Sequence, residues 1–246
     1  MPTLDWNFAQ WDGEYPWQRE GEEWSEGWGG SRAQWFGTIY PRISRWLPAN
    51  SILEIAPGFG RWTKFLKELA VQEYYGVDLS KKCIAACRQR FSTAKKAQFF
   101  VNDGLSLDRI PDGSVDFVFS VDSLVHAEID VLRSYVPQIL KKLTPNGMAF
   151  LHHSNSANHP DSEQARKGSR ALSVSSELVG EAIDQAGGCQ LIQEEINWGG
   201  GALTDCFTTF CRSESVFAQP AVKIQNSAFF DERTRIKATH APYHNL

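Results

Sequence analysis

The sequence has no excess of positive charge, no apolar run of bilayer length, no Cys-x-x-Cys pair, no internal repeat and no low-complexity tract. Each shortage removes a class of function. Lys and Arg number 25 against 29 Asp and Glu, a net charge of −4. That leaves no basic field to hold a phosphate backbone, so nucleic acid is not expected as a partner. Nothing approaches the roughly 20 apolar residues that span a bilayer. No positively charged start followed by an apolar stretch marks a secretory leader. The expectation is a cytoplasmic chain with no membrane partner. The five cysteines are an odd number, and no spacing suits zinc or redox chemistry. They fit reduced, buried thiols.

What is present suffices for one α/β domain with its own core: 246 residues, 42% of them hydrophobic. Residues 1–50 differ from the rest. They carry seven of the nine tryptophans (Trp6, Trp11, Trp17, Trp24, Trp28, Trp35, Trp46) among glutamates. Trp35, Ile39, Ile43 and Trp46 recur at helical spacing, and Pro41 inside that window kinks or divides a helix. This stretch reads as an N-terminal extension that buries its indoles on the main domain. Residues 51–212 then alternate short apolar strands with amphipathic helices. Strands are expected at Ser51–Ala56, Glu73–Leu79, Ala97–Asn102, Val115–Val121, Met148–His152, Cys189–Ile196 and Leu203–Cys211. Residues 213–246 show no clear period and read as a C-terminal tail. Such alternation predicts an α/β fold, a mostly parallel sheet with helices on both faces.

In such a sheet ligands bind at the carboxyl edge, and the first strand–turn–helix is the usual nucleotide platform. Pro57-Gly58-Phe59-Gly60 occupies that place, where glycines let backbone approach a ligand closely. Glu54 lies on the first strand. Asp78 closes the second, where a carboxylate can accept from both ribose hydroxyls. Asp103, in Asn102-Asp103-Gly104, ends the third and is placed to accept from an adenine amino group. Thr63 stands where a dehydrogenase uses a small residue for close helix packing. Bulky Trp62 precedes it and no Tyr-x-x-x-Lys pair exists, so an NAD-dependent oxidoreductase is disfavoured.

Ile52–Leu66 (ILEIAPGFGRWTKFL), Tyr75–Ser80 (YGVDLS), Asn102-Asp103-Gly104 and Val115–Val121 (VDFVFSV) resemble, in order and spacing, the successive motifs of class I S-adenosylmethionine-dependent methyltransferases. The resemblance covers about residues 48–152 in motifs and 172–212 in topology. It implies a Rossmann-like sheet of seven strands with the last antiparallel, and S-adenosyl-L-methionine as cofactor. It implies a pocket lined by Glu54, Ala56, Gly58, Gly60, Asp78, Asp103 and Gly104, with Ser120 and Asp122 at the end of the fourth strand. Thr63 and Ser80 are taken as further cofactor contacts, and Trp28, with Trp24, as closing the site from the N-terminal side. Ser120–Glu128 (SVDSLVHAE) with His152-His153-Ser154-Asn155 resembles bacterial enzymes of sugar and natural-product biosynthesis.

Methyl transfer to a hydroxyl profits from a positioned base. Candidates beyond strands four and five are His153, preferred because it begins a loop, then His126, Asp122 and His152. Adjacent strand residues point to opposite sides, so one of His152 and His153 at most faces the pocket. Asp122 with two histidines would make a known metal-ligand set, but no metal is expected. The loop Ser154–Ala171 is long enough to act as a lid. The expected activity is O-methylation of a hydroxyl on a sugar, glycan or small natural product. The alternatives are an N-methyltransferase acting on a small amine and a non-catalytic S-adenosylmethionine-binding protein. A homodimer stays open as the assembly.

Overall fold

Phe117, Val118 and Phe119 point alternately to opposite faces of their strand, and all three are apolar, which requires cover on both sides of the sheet. The computed structural model of the chain describes residues 2–163, 165 and 170–244, and it supplies that cover. Eight strands form one sheet: β1 Ala49–Ile55, β2 Ala70–Asp78, β3 Ala97–Val101, β4 Val115–Ser120, β5 Leu143–Ser154, β6 Gly188–Ile196, β7 Asp205–Arg212 and β8 Val222–Asn226. Their order is β3-β2-β1-β4-β5-β7-β6-β8. The pairs β1–β2, β1–β4, β2–β3 and β4–β5 are parallel. β7 runs antiparallel to both neighbours, and β8 parallel to β6.

The mostly parallel sheet with an antiparallel strand is as expected; the count of seven strands is corrected to eight. β8 lies in the segment read as featureless because it is a short edge strand. Its Val222 and Ile224 are 51% and 40% exposed, so it shows no buried face to betray it. The helix Phe229–Thr239 that follows buries only Phe229 and Ile236. It is fixed at few points: Phe229 stacks on Trp198 at 5.5 Å, and Glu232 shares Arg42 with Glu194.

One core lies under Ile52, Phe117, Phe119 and Phe150, the other under Leu53, Val118, Ala149 and Leu151. The helices Ile129–Lys142 and Ser176–Gln185 cover the second face. The first face receives part of residues 1–50. Trp28, Trp35, Ile39 and Ile43 are at most 2% exposed there, and Trp35 stacks on Phe65 at 5.0 Å. Pro41 divides this stretch as expected. Two short α-helical pieces, Ser31–Gln34 and Tyr40–Ile43, flank a π-helical turn over Trp35–Ile39. Among the described residues no helix is long and apolar enough to cross a membrane.

Candidate active site

β1 and β4 end side by side, and each is followed within two residues by a strained one. Ala56 has φ 58° and Asp122 has φ 62°, left-handed values that cost a non-glycine residue on the order of 1–2 kcal/mol. Hydrogen bonds hold both. The Ala56 N–H donates to Val77 O at 2.7 Å, and its carbonyl accepts from Ser123 Oγ at 2.9 Å. The Asp122 N–H donates to His152 Nδ1 at 3.1 Å. After Ala56 the chain turns through Gly58 at φ 57° and Gly60 at φ 85°. A Cβ on Gly58 would stand 2.8 Å from the indole of Trp17, so this glycine serves both the bend and a close approach.

Asp78, at the end of β2, braces the bend from beside it. Its Oδ2 accepts from the Gly58 N–H at 3.0 Å and its Oδ1 from the Ser80 N–H at 2.9 Å. Burial pushes its pKa up to about 6, against the pull of these two donors. Each oxygen keeps a second lone pair, so the carboxylate can still accept from two hydroxyls. Gly104, at φ 77°, lines the same cavity. Asp78, the bend Ala56–Gly58 and Gly104 thus form a notch with an acceptor pair and little side-chain bulk, which suits a nucleoside.

The other acidic residues expected here are placed differently. Glu54 is buried behind the bend. It accepts from Thr63 Oγ1 at 2.6 Å and from the Tyr74 hydroxyl, and burial raises its pKa to about 7. It ties β1 to the helix Thr63–Leu69 and, like Thr63, does not line the cavity. Asp103 turns back on its own loop and accepts from the Leu105 and Ser106 N–H groups at 2.9 and 2.7 Å. Partial burial pushes its carboxyl up, but those donors outweigh it and hold it below its ordinary value. Ser120 donates to Ile55 O at 2.9 Å. Ser80 caps the helix Lys81–Arg90. Both brace the site from outside the cavity, as does Gly60. Trp28 lies in the core, its Nε1 donating to Thr38 Oγ1 at 3.1 Å.

Other residues of the N-terminal segment close the cavity: Asn7, Trp11, Trp17, Glu20 and Trp24. Trp17 stacks on Phe59 of the bend at 4.5 Å and 5°. Asn7 Nδ2 donates to His126 O at 2.9 Å. Asp12 caps the helix Lys81–Arg90, accepting from Ser80 Oγ and the Lys82 N–H, both at 2.9 Å. Of the two indoles expected to close the site, Trp24 lines the cavity and Trp28 does not; Trp11 and Trp17 were not expected there.

Of the four candidate bases, His126 and Asp122 line the cavity, and His152 and His153 do not. His152 Nδ1 accepts from Asp122, so its proton sits on Nε2 and is donated to Asp205 Oδ2 at 3.1 Å. Arg170 Nη2 reaches the same oxygen at 2.9 Å. His153 points to the opposite side, as alternation requires. Its Nδ1–H donates to Ser154 O, and its Nε2 accepts from Thr208 Oγ1, both at 2.8 Å. With both ring nitrogens engaged in the core, the residue preferred as base is a structural one. Burial lowers its pKa from 6.5 to about 4.

That depression has a testable sign. Below pH 6.5 the unfolded chain takes a proton that the fold refuses until about pH 4, so this group costs stability as pH falls through that window. The shift corresponds to about 3 kcal/mol. The stability advantage of wild type over His153→Asn is therefore expected to shrink by about that amount between pH 6.5 and 4 in urea titrations. A difference independent of pH would contradict the assignment.

Asp122 is paired with Arg61 Nη2 at 2.8 Å and approached by Arg170 at 3.8 Å. Among the described residues no three His, Cys, Asp or Glu side chains gather as a metal would need. The lid expected over Ser154–Ala171 includes residue 164 and residues 166–169, which lie outside the described residues.

Residues 52–147 match the model of a methyltransferase-domain family. Phosphoethanolamine N-methyltransferase of Plasmodium falciparum is 22% identical over 102 residues, 42% of this chain. The match spans 38% of that relative's length. A TehB-like S-adenosylmethionine-dependent methyltransferase from Corynebacterium glutamicum superposes with a TM-score of 0.50 at 19% identity, over 66% of this chain and 79% of its own. An S-adenosylmethionine-dependent methyltransferase from Mesorhizobium loti gives 0.55 at 16%, over 73% and 98%. A chain from the Haloferax volcanii complex of the Trm112 methyltransferase activator gives 0.57 at 19%, over 78% and 95%. Residues 52–147 thus carry a methyltransferase domain, on a fold that the S-adenosylmethionine-dependent methyltransferases above share. S-adenosylmethionine is the cofactor that this domain and its fold neighbours imply.

Proposed function

We propose that this chain methylates a nucleophilic oxygen or nitrogen of a small organic acceptor, bound between the glycine bend and the N-terminal indoles. The observation that carries the reading is one cavity with two unlike halves. Asp78, Ala56, Gly58 and Gly104 form the notch for adenosine, and Trp11, Trp24, Asp122 and His126 wall the remainder.

When bound, S-adenosylmethionine supplies a methyl group already activated by its sulfonium. The protein's task is then alignment and exclusion of water, and alignment can account for about 7–11 kcal/mol of a barrier. Trp17, stacked on Phe59, and Asn7, tied to His126, hold the N-terminal segment over the bend. The fixed left-handed turn at Asp122 sets one wall, through His152 and Asp205.

The hydroxyl acceptor expected from the sequence requires a base. With His153 in the core that role passes to His126, whose ring lies 5.2 Å from Trp11. A screen for transfer of tritiated methyl to sugars, phenols and amines tests the function. If the acceptor is a hydroxyl, His126→Asn is expected to lower turnover about 10²–10⁴-fold with cofactor affinity kept. No transfer to any acceptor, with cofactor bound, would contradict the activity.

A further inference from the structure

We propose that the outer half of the cavity is a cation-recognising box and that the acceptor is a small amine; this rests on the methyltransferase reading above and narrows it. Trp11, Trp17 and Trp24 all line the cavity. Their ring centroids lie 5.3 to 6.0 Å apart, with planes 56° to 89° from one another. The three rings pack edge to face or tilted on one another, and each presents part of its π surface to the cavity that all three line. Tyr15 stands 5.4 Å from Trp11 and 5.0 Å from Trp24, and its hydroxyl donates to Glu23.

The polar edges of two of these indoles are already engaged. Trp11 Nε1 donates to Asn7 Oδ1, and Trp17 Nε1 to the Trp11 carbonyl, both at 3.0 Å. One face of Trp17 is covered by Phe59, so what these two rings offer a ligand is their remaining π surface rather than their N–H groups. A face of negative quadrupole attracts a cation and gives a hydroxyl no directional bond. The structure already holds one cation in this manner. The Arg61 guanidinium sits 5.2 Å from the ring centroid of Trp24 and 4.4 Å from that of Trp62. Charge agrees. The cavity wall has three carboxylates, Glu20, Asp78 and Asp122, and one guanidinium, Arg61, which Asp122 neutralises. Glu20 is paired outside the cavity with Arg90.

The chemistry suits such walls. An amine's lone pair forms the new N–C bond, the C–S pair stays on sulfur, and the positive charge passes from sulfur to nitrogen. A proton leaves the nitrogen afterwards if it carries one. The cavity thus holds one positive charge before and after transfer, and indole faces stabilise it throughout. A hydroxyl acceptor instead gives up a proton, and the cationic character is lost to a base.

The test uses the whole chain saturated with S-adenosylhomocysteine, which is uncharged at sulfur. Choline is titrated against its carbon isostere, in which a tert-butyl group replaces the trimethylammonium, with binding read by tryptophan fluorescence and calorimetry. Choline is expected to bind about tenfold tighter or more. Trp24→Leu should erase that preference with S-adenosylhomocysteine affinity within about twofold of wild type, and Trp24→Phe should retain part of it. Equal affinity for the two probes, binding of neither, or a preference untouched by Trp24→Leu would overturn the proposal. Failure of S-adenosylhomocysteine itself to bind would overturn the methyltransferase reading beneath it.

Discussion

Replacing Asp78 by alanine is expected to weaken S-adenosylhomocysteine binding about 100-fold. A hydrogen bond to a charged acceptor contributes about 1.5–3 kcal/mol, and two hydroxyls of one ribose can use the free lone pairs of this carboxylate. About 3 kcal/mol is therefore at stake, and each 1.4 kcal/mol is a factor of ten. The same substitution leaves the Gly58 and Ser80 N–H groups without the partner they have at 3.0 and 2.9 Å, which loosens the bend. Asp78→Asn keeps one acceptor oxygen and should fall between. Calorimetry measures the affinities, and urea unfolding without ligand shows how far each variant is weakened as a fold. The carboxyl titrates at about 6 in the free protein, raised by burial. If the charged form is the one that binds, affinity should hold above that pH and decline by up to about tenfold per unit below it. Affinity indifferent to both substitution and pH would remove Asp78 from the site.

Loss of Arg61 is expected to be the most damaging single truncation near the cavity. Its side chain is 5% exposed and that of Asp122 9%. Removing one member of a buried pair strands the other charge, at a cost of about 3–5 kcal/mol. Arg170, 3.8 Å from the other Asp122 oxygen, offsets part of this, so Arg61→Ala should lose about 3 kcal/mol in urea unfolding. Truncation also takes a guanidinium from between Trp24 and Trp62. Adding Asp122→Asn should recover a share of the loss, since the stranded carboxylate is then neutral; a double-mutant cycle reads the coupling directly. A loss under about 1 kcal/mol in Arg61→Ala would mean that water reaches the pair and screens it.

The sheet was legible in the sequence because its central strands are apolar on both faces, as in Val115–Ser120, and its helices on one. β8 and the helix after it were not, because a strand with exposed Val222 and Ile224 and a helix burying two residues leave no period to read. At the candidate site, the bend at Gly58 and the turn at Gly104 stood out because backbone geometry limits which residues can serve there, and Asp78 because it closes the strand beside them. Direction was harder. Glu54 lies on β1 and Asp103 just past β3, yet one faces Thr63 and Tyr74 behind the bend and the other its own loop. His152 and His153 were known to diverge by alternation, but which of them pointed where depended on the register of β5 with β7, where His153 pairs with Cys206 and its ring reaches Thr208 diagonally. The indoles that close the cavity come from a segment far from the motifs in sequence; Trp24 was expected there, whereas only tertiary packing selects Trp11 and Trp17 and sends Trp28 to the core.

A crystal structure of the chain with S-adenosylhomocysteine bound tests the central claim most directly. The ribose should sit on the Asp78 carboxylate, with adenine toward Gly104 and the sulfur at the bend beneath Trp17. A ligand bound elsewhere, or a nucleoside whose ribose hydroxyls leave Asp78 untouched, would contradict it.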